Sequence, residues 1–361
     1  MFLTIIVFLL VIGVLVVVHE FGHFIIAKLT GVKVEEFAIG FPPRLFSIKK
    51  GETEYSINAI PLGGYVKMLG ELEHSTSKRA FETQKPGTRF WISIAGVLMN
   101  VFLAWFILSI GFAVGMSPIV SSPDSIPGKR LSTEIFLADV TKDSPADKAG
   151  IKAEDIVVSA TSEGIFTPFD SLDQFDQYNT NHKNKIVTYV LKRDDATISK
   201  EVTLSNDSDS QLGVAMIEKV EMRVLWYKAP YVALRETARI IKLTFEFLGS
   251  FFSGIFTHGK IADEAGGPVA IYTYTGLALK AGIMVLLQFV ALLSINLALI
   301  NILPFPALDG GRLVFIILEK ISGKRVIKEK VENIIHTVGF GLLILLMLAI
   351  TYKDIVGLFH R

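Results

Sequence analysis

Residues 19 to 23 read His-Glu-Phe-Gly-His. Residues four apart share one face of a helix, so two imidazoles at this spacing can reach one Zn²⁺, and the glutamate lies close enough to act on a water the ion holds. The pentapeptide follows a run, residues 1 to 18, that carries no charged side chain. Ionisable groups at bilayer depth are costly and rarely idle. A catalytic zinc needs a third protein ligand and one open position. The chain has no cysteine, which leaves imidazole and carboxylate as donors. The candidate is Asp309, in Asn301-Ile302-Leu303-Pro304-Phe305-Pro306-Ala307-Leu308-Asp309-Gly310-Gly311. Asp-Gly-Gly after a helix is by itself a common turn signal. Its weight here comes from its expected depth and from the lack of a competing acid in the apolar runs. Of the other histidines (His74, His182, His258, His336 and His360), His336 is the nearest rival ligand.

These residues need elements to hold them. The chain has 361 residues, 51% of them hydrophobic, and a mean hydropathy of +0.49. Four uncharged runs, 1–18, 90–123, 281–308 and 333–352 with His336 neutral, reach or approach the roughly 20 residues that cross a bilayer as a helix. The composition therefore predicts four transmembrane helices. The first lacks a basic leader and a small-x-small cleavage site, so it is expected to remain as a span. The loop from Lys28 to Arg89 holds ten lysines and arginines, and residues 309–332 hold six, among them Arg325, Lys328 and Lys330. Short basic loops stay cytoplasmic. Both termini and the long middle segment are then expected outside, with His19, Glu20, His23 and Asp309 at similar depth near the cytoplasmic face, Asp309 ending the third helix.

The expected organisation is 1–116 for the first two spans with a β-loop at about 41–70, 117–220 for a small α+β domain, 221–280 for an amphipathic helix and a connecting segment, and 281–361 for the last two spans. Strand-like alternation in KIVTYVLKR and ATISKEVTLS marks the inserted domain. In YVALRETARIIKLTFEFLGSFF the apolar residues recur at helical spacing. Such a helix lies on the membrane surface or packs on the inserted domain. LFSIKKGETEYSINAIPLGGYVKML alternates around Lys50-Gly51-Glu52 and bends at Pro61 and Gly63-Gly64. It is either an ordinary hairpin or an edge able to take an extended peptide. The prolines of NILPFP break helical pairing, and unwound backbone survives in a membrane only where protein or a watery cavity satisfies it. A net charge of +1 gives no reason to expect a nucleic-acid partner.

HEFGH, IPLGGYVKM, SPADKAGIKAEDIV and NILPFPALDGG, in this order over nearly the whole chain, resemble the bacterial site-2 metalloproteases. The resemblance implies an α-helical polytopic membrane protein of the bacterial cytoplasmic membrane, with one inserted PDZ-like domain, that cleaves a transmembrane segment of another protein. The implied partners are the lipid bilayer and a single-span substrate, such as an anti-sigma-factor-like protein or a remnant signal peptide. By motif position, His19, His23 and Asp309 would bind Zn²⁺ and Glu20 would be the catalytic base. Asn301 and Pro304 would hold the substrate backbone. Ile60, Gly63 and Gly64 would lie on a membrane re-entrant β-loop that contacts substrate. Three departures stand out: one PDZ insert where close relatives often have two, Glu154-Asp155 in place of the usual Gly-Asp, and Gly96-Val97-Leu98-Met99-Asn100-Val101 without the second span's usual proline. Asn100 is retained and is expected to pack. Two other function classes share parts of the pattern, a metal-ion transporter and an inactive PDZ scaffold. The first lacks a polar path across the full bilayer, and the second would be missing some residue the chemistry needs.

Overall fold

The computed structural model describes residues 2–71, 74–193, 196–206, 211–258, 267–324 and 329–359. His360, Arg325, Lys328 and the connector 259–266 lie outside the described residues. The chain forms two compact units, one from residues 1–111 and 229–361, the other from 112–228.

In the first unit, α1 (Phe2–Leu29) is apolar along nearly its whole length. Its buried residues Val11, Leu15, His19, His23 and Ala27 recur every four positions, so one stripe faces the other helices and carries both histidines. Next come β1 (Val34–Lys50) and β2 (Thr53–Met68), then α2 (Pro86–Val114) with proline at its first position, where no amide partner is lost. After the second unit the chain continues through α5 (Ala229–His258), α6 (Pro268–Lys280), α7 (Ile283–Ile302), α8 (Asp309–Ser322) and α9 (Glu329–Phe359). Among the described residues, four helices are long and apolar enough to cross a membrane: α1, α2, α7 and residues 334–356 of α9. The Ser294 hydroxyl of α7 donates to the Asn100 carbonyl of α2 at 2.9 Å, and Leu15 and Val290 join one apolar cluster.

β1 and β2 pair antiparallel around a turn with Gly51 at φ +64. Each strand also bends back on itself, so that Lys49 pairs with Glu54, Phe37 with both Tyr55 and Val66, and Val34 with Met68. Four short segments result, in the order 44–50, 53–58, 36–39, 64–68, with 64–68 at one edge.

Two features differ from the sequence reading. Asp309 does not end the third span. α7 stops at Ile302, and Asp309 is the first residue of α8. Pro304 and Pro306 cannot donate the amide bonds that would continue α7. Residues 268–280 are a helix rather than a connector. Proline opens α6, and the Asp354 carboxylate of α9 accepts from the Gly267 and Ala270 amides at 2.9 and 3.1 Å, capping its N-terminus.

In the second unit, a sheet runs in the order β7 (Ala196–Thr203), β6 (Ile186–Arg193), β4 (Ile156–Ser162), β3 (Lys129–Val140), β8 (Val214–Arg223), with β5 (Ile165–Pro168) also on β4. Two short helices, α3 (Pro145–Lys148) and α4 (Leu172–Asn181), are capped by the Ser144 and Ser171 hydroxyls. Alternation in β6 buries Val187, Tyr189 and Leu191 against Phe175 of α4.

Candidate metal centre

His19 and His23, one turn apart on the buried stripe of α1, face Asp309. His19 Nε2 stands 3.1 Å and His23 Nε2 3.3 Å from Asp309 Oδ2, and the two Nε2 atoms are 3.2 Å apart. Among the described residues these three form the one group of His, Asp and Glu side chains that could hold a metal ion. Zinc–ligand bonds of 2.0–2.1 Å in a tetrahedron put neighbouring ligand atoms about 3.3 Å apart, so the triangle matches one face of a zinc site. The donor chemistry also fits. Asp309 Oδ2 is buried, yet it accepts no well-formed hydrogen bond from any described residue.

Helix α2 sets the rings. His23 Nδ1–H donates to the Ile92 carbonyl at 2.7 Å, which leaves Nε2 with its lone pair for a metal. The Asn100 carboxamide faces His19 Nδ1 at 3.3 Å, fully buried, and its Oδ1 has no other partner among the described residues. Turned so that Oδ1 accepts from Nδ1–H, the amide fixes the same tautomer on His19. The rings lie over Gly96, where a Cβ would stand 2.6 and 2.7 Å from His19 Cε1 and Nε2. A larger residue at 96 would fill the space the imidazoles occupy.

Asp309 is held by close backbone packing. A Cβ on Gly311 would meet the Phe305 carbonyl carbon at 3.0 Å and Pro306 Cα at 3.2 Å, and one on Gly310 would collide with the Ile302 and Leu303 carbonyls. The two glycines therefore let α8 begin directly against the unwound segment. Arg89 of α2 pairs with Glu319 of α8 at 2.5 Å, and Arg312, one turn past Asp309, pairs with Glu71.

A cavity of about 410 Å³ opens beside the three ligands, lined in part by Glu20, Tyr65, Glu71, Arg312 and His336. Tyr65, Val66 and Met68 from the edge segment of β2 form part of its wall. Gly64 lies beside α1, where a Cβ would be 3.8 Å from Glu20 Cγ. Gly63 takes φ +139, and Ile60 is exposed further out on the same strand. None of Gly64, Gly63 and Ile60 lines the cavity, nor does Asn301 or Pro304. Asn301 sits in the last turn of α7, and Pro304 is exposed in the break that follows. His336 is outside the ligand group, and its Nδ1 accepts from the Ala307 amide at 2.9 Å. The sequence assigned Asn100 only a packing role and gave no role to Gly96, Glu71 or Arg312. Their significance depends on contacts across 70 residues or more, which no local pattern reports.

A helix-borne pair of imidazoles facing a carboxylate, among helices of membrane-crossing length, is a candidate metallohydrolase centre. The model of peptidase family M50 matches residues 7–346, and the chain belongs to that family, the site-2 type of zinc metalloprotease. A relative named as a zinc metalloprotease, from Clostridium acetobutylicum, is 36% identical over 98% of both chains. The regulator of sigma-W protease RasP of Bacillus subtilis is 30% identical over 99% of both, as is the zinc metalloprotease RasP of Bacillus licheniformis.

Proposed function

We propose that this zinc metalloprotease hydrolyses a peptide bond within or near the transmembrane segment of another membrane protein, with His19, His23 and Asp309 as its zinc ligands and Glu20 as its catalytic base. The observation that carries the reading is the 3.1–3.3 Å triangle of lone-pair atoms beside the cavity that Glu20 lines. A zinc ion held there supplies Lewis acidity and a water whose pKa falls toward about 7. Glu20 takes the proton of the attacking water and returns it to the leaving amine. A helical substrate hides its carbonyls in i to i−4 hydrogen bonds, so it must unwind before attack. The edge segment 64–68 replaces those bonds by strand addition, with Gly63 and Gly64 keeping the strand close to α1 and Ile60 extending the contact. Asn301 and Pro304 hold the substrate backbone from the other side.

Exposed Leu45, Phe46, Ile48 and Ile57 suit the β1–β2 layer to a lipid-facing, re-entrant position. The sheet unit is proposed to be PDZ-like and extracytoplasmic, together with both termini, the metal centre lying near the cytoplasmic face. The Bacillus subtilis relative bears the name of a sigma-W regulator. By analogy, an anti-sigma-factor-like protein is the favoured substrate class, and a remnant signal peptide is the second.

The test uses full-length protein in detergent with a single-span substrate, with and without a zinc chelator. Chelator-sensitive cleavage is expected. Glu20→Gln is expected to stay folded and zinc-loaded while losing about 10²–10⁴-fold in rate, the usual range for a positioned general base. Cleavage that survives complete zinc removal, or wild-type turnover by Glu20→Gln, would refute the assignment.

A further inference from the structure

Residues 303–308, between α7 and α8, form no helix, and Ala307 takes φ +77. That left-handed conformation costs an L-residue about 1–2 kcal/mol and persists only where neighbours impose it. Two contacts from α9 do so. The Ala307 amide donates to His336 Nδ1 at 2.9 Å. Three residues along the same helix face, Gly339 lies against Pro306, where a Cβ would stand 2.6 Å from the Pro306 carbonyl oxygen and 2.8 Å from its carbon. Phe315 of α8 meets the His336 ring edge-on, 5.7 Å between centroids. Thr337 and Phe340 of the same helix line the cavity beside the ligands. Asp309 is two residues beyond Ala307.

We infer that His336 is a positioning residue: by accepting the Ala307 amide it holds the unwound segment in the left-handed turn that aims the Asp309 carboxylate at the two imidazoles. The inference rests on Asp309 being a zinc ligand. It assigns His336 a task on the backbone of the ligand segment and no contact with the metal. Use of Nδ1 as acceptor places the ring proton on Nε2, which finds no hydrogen-bond partner among the described residues. Among the described residues the Ala307 amide is therefore the ring's one hydrogen-bond partner.

The experiment measures zinc affinity of the full-length protein in detergent by competition with a chromogenic chelator. His336→Phe keeps the ring and removes the acceptor. His336→Asn keeps an acceptor at nearly the Nδ1 position. The double variant His336→Phe/Ala307→Gly supplies a residue that adopts positive φ unaided. His336→Phe is expected to weaken zinc binding about 10-fold or more, as loss of outer partners of metal ligands does. His336→Asn and the added Ala307→Gly are each expected to recover most of that loss. A His336→Phe protein that binds zinc like wild type, while Asp309→Ala does not, overturns the inference alone. So does a His336→Asn protein as weak as His336→Phe, which would show that restoring an acceptor to the Ala307 amide does not restore the site. Zinc retention by Asp309→Ala instead removes the ligand assignment itself. If His336→Phe does not fold, His336→Ala with and without Ala307→Gly is read against the same outcomes.

Discussion

Two carboxylates, one in each unit, are taken out of water and treated in opposite ways. Asp155 is fully buried and saturated. Arg193 donates to both its oxygens at 2.6 Å, and the Lys152 amide adds a bond at 2.9 Å. Asp309 has its Oδ2 aimed at two imidazole nitrogens with no well-formed hydrogen bond from any described residue. Buried polar groups are normally satisfied, so an exception calls for a cause. A saturated pair holds a fold together. A carboxylate left with free lone pairs opposite two others keeps the capacity to coordinate.

The largest effect should come from breaking the unsaturated cluster. Asp309→Ala is expected to lower zinc affinity by well over about 100-fold, beyond what outer partners contribute, and to abolish cleavage without disturbing the sheet unit. Metal analysis of the purified variant beside wild type checks this. Removing the saturated carboxylate should do the reverse. Asp155→Ala removes two of the bonds Arg193 makes and is expected to destabilise the sheet unit by about 1–3 kcal/mol, seen as faster amide exchange in β4 and β6 of the full-length protein, while zinc content stays unchanged.

Acid should reach the same pair more gently. Burial alone would raise the Asp155 carboxyl, but Arg193 and the Lys152 amide hold it below the usual carboxylate value. A group depressed in the folded state stabilises fully above its unfolded pKa of about 3.9 and loses that contribution as pH falls through the lower folded value. The sheet unit is therefore expected to lose stability below about pH 4, and Asp155→Ala to flatten that dependence. Unfolding followed from pH 6 to pH 2 decides it. The smallest effect is at the neighbouring turn. Glu154 takes φ +71, a conformation glycine adopts freely, so Glu154→Gly is expected to stabilise the unit by about 0.5–1 kcal/mol. Faster exchange in that variant would count against the turn's strain.

The chemistry was more legible than the geometry. His19, Glu20 and His23 are set by spacing on one helix, and four uncharged runs announce the membrane-length helices. Asp309 was visible as a residue but misplaced, because two prolines mark a break without saying how the chain resumes. Helix α6 was missed because thirteen residues are too few for a span and its cap comes from Asp354, far along the chain. The doubling back of β1 and β2 is hidden too. Alternation shows which side chains face one way, while the pairing of Phe37 with both Tyr55 and Val66 is a long-range outcome. Asn100 and His336 act through single contacts with distant partners, and composition carries no trace of those.

His19 and His23 of α1 and Asp309 at the start of α8 are placed to hold one divalent ion. X-ray absorption at the zinc edge of the purified full-length protein tests this most directly. Two imidazole nitrogens and a carboxylate oxygen at 2.0–2.2 Å are predicted, with one imidazole lost in His23→Ala and the carboxylate lost in Asp309→Ala. A zinc coordination shell that is the same in wild type and Asp309→Ala would contradict the account.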